Sequence, residues 1–330
     1  MTHRLIVLTP VLDDWEALST LVAEIGAVVD AAHARLTIVA VDDGSPTPMG
    51  DAFRPTVAPG GCIERIEVVR LALNLGHQRA IAVGLSSVVD RYLDADGVIV
   101  MDSDGEDRPA DIPRLLAEAD LHPEEVVFAH RARRSENLVF MAGYRVYKLL
   151  FRALTGQRIS FGNFSFLPMT AVHRLVRMPE LWNNLPAAII RSRHRYRQTD
   201  TVRGTRYAGQ SRMNFPSLAM HGLSAMSVYA DIMFVRVLMA AAGIVVLAVA
   251  SMIVVVAIRL TTDMAIPGWA TTVFSNLLVI LFQALVIVVA TTFMVLATRS
   301  NRPFIPIVDA AIFVAEIITI AQVPGRGNPR

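Results

Sequence analysis

Short apolar runs alternate with longer stretches of helical periodicity over the first 130 residues. The runs cover 4–10, 35–43, 66–73 and 97–104, and two of the stretches between them cover 15–32 and 77–93. Strands that alternate with helices are typical of a mostly parallel sheet covered by helices on both faces. The pattern therefore predicts an α/β domain, in which ligands bind beyond the carboxyl ends of the strands.

Acidic residues follow three of these four predicted strands. They are Asp13 and Asp14 after the first run, Asp42 and Asp43 at the end of the second, and Asp102, Asp104, Glu106 and Asp107 at the end of the fourth. Because the carboxyl ends of parallel strands meet at one edge of a sheet, we expect these carboxylates to lie near one another. Their convergence indicates a functional site.

The acids after the fourth run have the spacing of a metal site. Asp102, Asp104 and Glu106 would point the same way if the chain stayed extended beyond its strand. A hard divalent cation binds several carboxylate oxygens and bridges them to substrate phosphates, where it stabilises a leaving diphosphate. The alternative is a solvated acidic loop before a helix that begins near Asp111. The acids at the other strand ends favour the metal site.

Two long uncharged runs dominate the last third of the chain. Residues 237–258 form an uncharged run of 22 residues. As a helix this run is about 33 Å long, enough to cross a hydrocarbon core of about 30 Å. Residues 271–297 form a second apolar run, and arginines concentrate before the first run and, at Arg299 and Arg302, after the second. This charge bias predicts that both ends lie in the cytosol.

The segments around these runs are predicted to stay at the membrane surface. Residues 215–232 have apolar side chains near helical spacing, which predicts an amphipathic juxtamembrane helix or, alternatively, a core helix. Residues 233–298 then form two transmembrane helices, and residues 299–330 form a cytosolic or interfacial tail. A third span in this tail is disfavoured, because a helix would carry Asp309 and Glu316 together on one face inside the membrane.

The composition agrees with a soluble domain joined to membrane segments. The chain is 53% hydrophobic, with a mean hydropathy of +0.46, which is high for a soluble protein. Its net charge is +2, but the charge is unevenly distributed: the net charge of residues 1–130 is −13 and that of residues 131–214 is +13. The acidic part suits a cation and the basic part suits phosphate. The opening residues lack the pattern of a signal peptide, so the first half is expected in the cytosol.

The sequence excludes disulfides and sites that need several cysteines, and it disfavours nucleic-acid binding. Cys62 is the only cysteine of the chain, which excludes an intrachain disulfide, Cys-rich metal sites and dithiol redox chemistry. The alternating arginines of 191–197 would share one face if this segment were a strand, an arrangement that nucleic-acid binding would use. Because they precede membrane segments, anionic headgroups are the favoured partners, and no nucleic-acid partner is expected.

Six motifs occur in the order of a known family. They are TPVLDDWEAL, AVDDGSPT (40–47), LALNLGHQRAIAVGL (71–85), MDSDGEDRPADIPRLL, FGNFSFLP (161–168) and RGTRYAGQSRMN (203–214). With these motifs, the chain resembles the membrane-attached family 2 glycosyltransferases of GT-A fold that make polyprenyl-phosphate sugars. That group includes dolichol-phosphate mannose synthases and bacterial polyprenyl-phosphate glucosyltransferases. The resemblance covers roughly residues 4–300.

The resemblance implies a GT-A (Rossmann-like, mostly parallel sheet) domain over residues 1–214. Residues 1–130 would form its nucleotide and metal half, and residues 131–214 its acceptor half. The implied roles are catalysis for Asp104 and Asp107; nucleotide-sugar binding for Pro10, Asp14, Asp42, Asp43 and Asp102; acceptor-phosphate binding for Arg131, Arg206, Ser211 and Arg212; and binding of Mg²⁺ or Mn²⁺ for Asp102, Asp104 and Glu106.

The implied reaction is an inverting transfer of one sugar from a nucleotide-sugar to polyprenyl (undecaprenyl) phosphate. The enzyme would be a multi-pass protein of the inner (cytoplasmic) membrane with its catalytic domain in the cytosol. Departures from the family pattern leave the donor open: Asp13 and Asp14 replace Asn-Glu, Glu106 replaces Gln, Gly105 replaces a larger residue and Asn163 replaces Asp. The oligomeric state is also left open, a homo-oligomer included.

Two other functions remain as alternatives. A processive membrane polysaccharide synthase would have more spans and a Gln-x-x-Arg-Trp motif, which the sequence lacks. A non-catalytic membrane scaffold could carry a degenerate transferase domain. The retained pair of Asp102 and Asp104 and the motif at 203–214 argue against the scaffold.

Overall fold

The structure is a computed structural model that describes residues 2–50, 53–131, 148–157, 162–207, 222–261, 268–300 and 302–323, without the side chains of 131 and 298–300. The chain forms two units. The first unit comprises Met1–Leu138, Ile159–Val228 and Phe304–Arg330, and the second comprises Val139–Arg158 and Tyr229–Pro303.

The first unit contains an eight-stranded sheet. Its strands are β1 (His3–Val11), β2 (Ala34–Asp42), β3 (Ile63–Leu71), β4 (Gly97–Val100), β5 (Val126–Arg131), β6 (Ser165–Pro168), β7 (Tyr196–Thr201) and β8 (Val314–Gln322). Their order is β7-β5-β6-β4-β1-β2-β3-β8. The four strands β4, β1, β2 and β3 are mutually parallel, as predicted, while β6 and β8 pair antiparallel to their neighbours.

Helices cover both faces of this sheet. They are α1 (Trp15–Val28), α2 (His77–Arg91), α3 (Ile112–Leu121), Met169–Leu175, Leu185–Arg191 and Pro306–Asp309, with 3-10 turns at Pro109–Asp111, Pro179–Trp182 and Ala310–Phe313. Side chains alternate between the faces of a strand. Accordingly, Leu5 and Val7 of β1 pack in one core with α1 and α3, whereas Ile6 and Leu8 pack in another with α2. Burial on both faces explains why the central strands read as continuous apolar runs.

The C-terminal residues correct the predicted domain boundaries. Residues 299–330 were predicted to form a cytosolic or interfacial tail, but β8 completes the sheet of the first unit by pairing with β3. The two acids that disfavoured a third span have partners there. The Asp309 carboxylate accepts the backbone N–H of Ile305 at 2.8 Å, and Glu316 forms an ion pair with Arg70 at 3.0 Å. The predicted transferase domain of 1–214 also differs from the first unit, because Val139–Arg158 belongs to the second unit.

The arginine-rich segment is not one strand. The helix Leu185–Arg191 ends at its first arginine, Arg193 turns the chain with a φ of 57°, and β7 begins only at Tyr196. Arg191 pairs with Glu180 at 3.2 Å, whereas Arg197 pairs with Glu125, just before β5, at 2.8 Å. The arginines of 191–197 therefore do not share one strand face.

The second unit contains two long apolar helices, Ala230–Thr261 and Trp269–Ser300. Among the described residues, these two are long and apolar enough to cross a membrane. They include the two predicted apolar runs, and large apolar side chains such as Val246 and Phe282 are exposed on them. The predicted amphipathic helix 215–232 is only partly described. Its visible part is helical over 222–227 and is interrupted by a turn at 228–229.

Candidate active site

The carboxyl ends of β1, β2 and β4 meet at one edge of the sheet. The Pro10 carbonyl near the end of β1 accepts a hydrogen bond from the Ser103 hydroxyl at 3.2 Å, which ties the first strand to the loop after β4. Asp42 ends β2, and its Oδ1 accepts the backbone N–H of Ser45 at 2.8 Å. The predicted convergence of acidic strand ends is thus present in the structure.

Asp43 fixes the loop that precedes α2. Its two carboxylate oxygens accept the backbone N–H groups of Leu75 at 2.7 Å and Gly76 at 2.9 Å. Burial raises the pKa of the Asp43 carboxyl, and these two N–H groups act in the opposite direction. Next to it, Gly44 has a φ of +70°, and a Cβ there would lie 2.7 Å from the backbone N of Asn74. This close contact between the two loops requires glycine.

The acidic pair after β1 has two different environments. Asp13, with a φ of 54°, donates its backbone N–H to Ser45 Oγ at 2.9 Å and accepts the N–H of Thr47 at 3.0 Å. Asp14 precedes α1 but its side chain does not cap the helix. Asp13 therefore shapes the loop, and the side chain of Asp14 lies half-buried at the helix start.

The acidic loop, residues 101–108, folds back on itself instead of remaining extended. The buried Asp107 accepts the backbone N–H of Asp102 at 2.9 Å, and Asp104 Oδ1 accepts the N–H of Glu106 at 2.9 Å. Gly105, with a φ of +87°, makes the turn. The expectation that Asp102, Asp104 and Glu106 project together from an extended chain is therefore wrong. Burial raises the pKa of the Asp104 carboxyl, although the N–H of Glu106 lowers it.

Two arginines lie against this acidic loop. Arg206 donates from Nη2 to Asp104 Oδ2 at 2.5 Å and from Nε to Glu106 Oε1 at 3.3 Å. Arg203 Nη2 donates to the same Glu106 oxygen at 2.8 Å. Arg206 was predicted to bind the acceptor phosphate, and in this structure it contacts two of the predicted metal ligands.

The backbone of residues 203–207 is docked on the acidic loop. The N–H of Gly204 donates to the Glu106 carbonyl at 2.9 Å, and the N–H of Tyr207 donates to the Asp104 carbonyl at 2.9 Å. A Cβ on Gly204 would lie 2.1 Å from the Gly105 carbonyl oxygen. Glycine at both positions allows this close approach, which gives a structural reason for the departure from the family pattern at Gly105.

A histidine also lies next to the acidic loop. His77 begins α2, and its Nε2 lies 3.2 Å from Asp102 Oδ1 and 2.9 Å from Asn163 Nδ2. Gln78 donates to Asn163 Oδ1 at 2.9 Å and accepts the backbone N–H of Leu185 at 2.8 Å. Burial acts to lower the pKa of His77, but nearby carboxylates, chiefly Asp102, raise it overall. None of these three side chains is among the predicted site residues. The His-Gln pair directly after Gly76 is the sequence signal for two of them, since it is consistent with either a helix-start or packing role or a substrate contact for His77.

The predicted acceptor residues are only partly described. Arg131 ends β5 and its side chain is outside the described atoms, while Ser211 and Arg212 lie outside the described residues. Arg206 is the member of this set whose side chain the structure places at the site. The roles of all four in phosphate binding stay predictions.

The donor set of the acidic loop suits a hard divalent cation, because it consists of carboxylate oxygens. Within the described part of the chain, however, no three His, Cys, Asp or Glu side chains are grouped as a metal site. Asp104 and Glu106 face guanidinium groups, and Asp102 faces His77. The chemistry fits Mg²⁺ or Mn²⁺, while the side-chain arrangement is that of a loop whose acids are paired with the protein's own cations.

Residues 7–175, which include the acidic loop, match a described sequence family. A sequence model of the family described as glycosyl transferase family 2 matches residues 7–175. The undecaprenyl-phosphate 4-deoxy-4-formamido-L-arabinose transferase of Edwardsiella ictaluri (strain 93-146) is 30% identical over 154 residues, which cover 47% of this chain and 45% of that protein. The match thus spans about half the length of this curated relative.

Solved structures with a similar backbone include two sugar synthases. One is mannosyl-3-phosphoglycerate synthase from Rubrobacter xylanophilus, at 16% identity and a TM-score of 0.47, covering 69% of this chain and 73% of that one. Another is glucosyl-3-phosphoglycerate synthase from Mycobacterium tuberculosis in complex with Mn²⁺, UDP and phosphoglyceric acid. It is 15% identical with a TM-score of 0.45, covering 70% of this chain and 78% of that one.

Proposed function

We propose, since the chain belongs to glycosyl transferase family 2, that it transfers one sugar from a nucleotide-sugar to a polyprenyl phosphate of the undecaprenyl type. The transfer inverts the anomeric centre and takes place at the cytosolic face of the inner membrane. The acidic loop after β4, at the carboxyl edge of the parallel strands and in contact with Arg203 and Arg206, is the observation that carries the proposal.

The residues at the strand ends hold the donor in this proposal. Pro10, Asp14, Asp42 and Asp43 line the nucleotide part, which fits the position of a ligand beyond the ends of parallel strands. Asp43 also keeps the loop before α2 in place through its two backbone hydrogen bonds. The buried Asp107 accepts the backbone N–H of Asp102 and faces the sugar end of the donor.

Asp102, Asp104 and Glu106 would hold Mg²⁺ or Mn²⁺ beside the diphosphate. When bound, the cation supplies positive charge that neutralises the departing nucleoside diphosphate. The acids of the loop would fix the position of that cation, and preorganised charge of this kind is usually the largest single contribution to catalysis. His77 positions Asp102 through its contact with Asp102 Oδ1 at 3.2 Å.

The acceptor needs little activation. A phosphate monoester has a second pKa near 6 and is mostly a dianion at neutral pH. It can therefore attack the anomeric carbon without a general base, and the protein must mainly bring two anions together. The predicted phosphate-binding residues, Arg131, Arg206, Ser211 and Arg212, serve this purpose, since an arginine fork binds phosphate with two parallel hydrogen bonds.

The membrane location and the lipid acceptor have two supports. The described chain contains two helices long and apolar enough to cross a membrane. The similar protein from Edwardsiella ictaluri carries undecaprenyl phosphate in its name.

A panel of radiolabelled nucleotide-sugars, incubated with the purified full-length protein and undecaprenyl phosphate, tests this function. We expect label from one donor to enter the organic phase as a lipid carrying a single sugar, with the anomeric configuration opposite to that of the donor. Undecaprenol, which lacks the phosphate, is the matched control and should remain unlabelled. Failure of every donor to label the lipid, or growth of a polymer, would exclude the proposed reaction.

A further inference from the structure

The guanidinium of Arg206 bridges the two carboxylates that a cation would need. Its Nη2 lies 2.5 Å from Asp104 Oδ2, and its Nε lies 3.3 Å from Glu106 Oε1. Arg203 adds a second guanidinium at the same Glu106 oxygen. Two positively charged side chains thus offset the repulsion between neighbouring acids of the loop.

A cation and this guanidinium compete for the negative charge of the same two carboxylates. Mg²⁺ requires carboxylate oxygens at about 2.0–2.1 Å in near-octahedral geometry. A guanidinium at hydrogen-bond distance from those oxygens would lie within a few ångströms of a doubly charged ion, where like charges repel strongly. Cation binding is therefore favoured when the side chain of Arg206 moves away from these oxygens.

The surrounding structure allows the side chain to move while the backbone stays. The backbone of 203–207 is held by the hydrogen bonds of Gly204 and Tyr207 to the acidic loop, and the Tyr207 hydroxyl donates to Glu24 of α1 at 2.6 Å. The side chain of Arg206, in contrast, is 29% exposed, so it has a path to solvent. None of these backbone contacts depends on the guanidinium.

We propose that Arg206 is a displaceable counter-ion, which neutralises Asp104 and Glu106 in the cation-free protein and leaves them when Mg²⁺ or Mn²⁺ binds. The proposal rests on the cation role in the proposed function. The released guanidinium becomes available to a phosphate, so cation binding prepares the same arginine for its predicted role at the acceptor. Cation binding and phosphate binding are then linked through one side chain.

Mn²⁺ binding to the purified full-length protein, measured calorimetrically without donor or acceptor, tests this inference. We expect Arg206→Ala to bind Mn²⁺ about tenfold or more tightly than the wild type, because a charge-assisted hydrogen bond no longer competes for the carboxylates. Arg206→Lys, which keeps the charge but loses the fork, should show a smaller increase. Sugar transfer by Arg206→Ala should fall even as Mn²⁺ affinity rises, a combination that general loss of structure would not produce.

Arg197→Ala is the matched control, since it removes an arginine that pairs with Glu125 away from the acidic loop. It should bind Mn²⁺ like the wild type. Equal or weaker Mn²⁺ binding by Arg206→Ala would overturn the inference and leave the proposed reaction standing. Absence of Mn²⁺ binding in all variants would overturn the inference together with the cation role. A third outcome combines tighter Mn²⁺ binding by Arg206→Ala with no sugar transfer from any donor by the wild type. This outcome would support the role of Arg206 as a counter-ion and exclude the proposed sugar transfer.

Discussion

Asp104→Asn is expected to reduce sugar transfer by at least about 100-fold, the loss typical of removing one preorganised electrostatic group from an active site. Asparagine keeps the size of the side chain and an oxygen that can accept the Glu106 N–H, but it removes the negative charge that a divalent cation requires. The measurement is the initial rate of lipid-linked sugar formation at saturating donor.

Asp120→Asn is the matched control for this substitution. Asp120 is an exposed acid of the same unit, 2.9 Å from His3 and outside the acidic loop. Its substitution should leave the rate unchanged, and circular dichroism should show both variants folded. A folded Asp104→Asn variant with the rate of the wild type would remove Asp104 from the catalytic site.

Glu67→Ala is expected to destabilise the first unit by about 3–5 kcal/mol, the cost typical of breaking a buried ion pair from one side. Glu67 is fully buried in β3 and accepts hydrogen bonds from Arg65 at 2.5 Å and from the Tyr92 hydroxyl at 2.6 Å. It also forms an ion pair with Arg91, whose Nη2 lies 2.7 Å from Glu67 Oε2. Burial, with the adjacent Glu67 carboxylate, raises the pKa of Tyr92, so its hydroxyl stays a donor. Alanine would leave two guanidinium groups without their carboxylate.

The same contacts connect this network to β8. Arg65 Nη2 also donates to Thr319 Oγ1 at 3.1 Å, so loss of Glu67 should increase hydrogen exchange in β8 as well as in β3. Glu316→Ala, which breaks the exposed pair with Arg70 on the same two strands, should cost less than about 1 kcal/mol. Chemical denaturation of the detergent-solubilised protein compares the two variants. Similar losses for both would show that the buried network does not stabilise the sheet as described.

The central strands could be predicted because their pattern is local. Most residues of β1, β2, β3 and β4 are buried, and each of these strands contains a short apolar run, such as Leu5 to Leu8 in β1. β8 could not be predicted in this way. Its apolar sequence also suits a membrane-surface segment, and its partner residues are far away in the chain, as the 246 positions between Arg70 and Glu316 show. Pairing over such a separation leaves no trace in a short sequence window.

For the site too, features with a local sequence pattern could be predicted, and features that depend on contacts between distant residues could not. The acids at the strand ends were predictable, because the ends of parallel strands meet at one edge. The turn at Gly105 was not, since it depends on hydrogen bonds within the loop and on the close approach of Gly204. The pairing of Arg206 with Asp104 joins residues 102 positions apart, so the sequence indicated a basic segment without showing which acids it contacts.

In the proposed reaction, the acids after β4 hold a divalent cation, and the nucleoside diphosphate cannot leave without it. The most direct measurement is the rate of lipid-linked sugar formation by the purified protein after chelation, followed by titration with Mg²⁺ or Mn²⁺. We expect a rate near zero in excess chelator and recovery as either ion is added back. An undiminished rate in excess chelator would contradict this role of the cation.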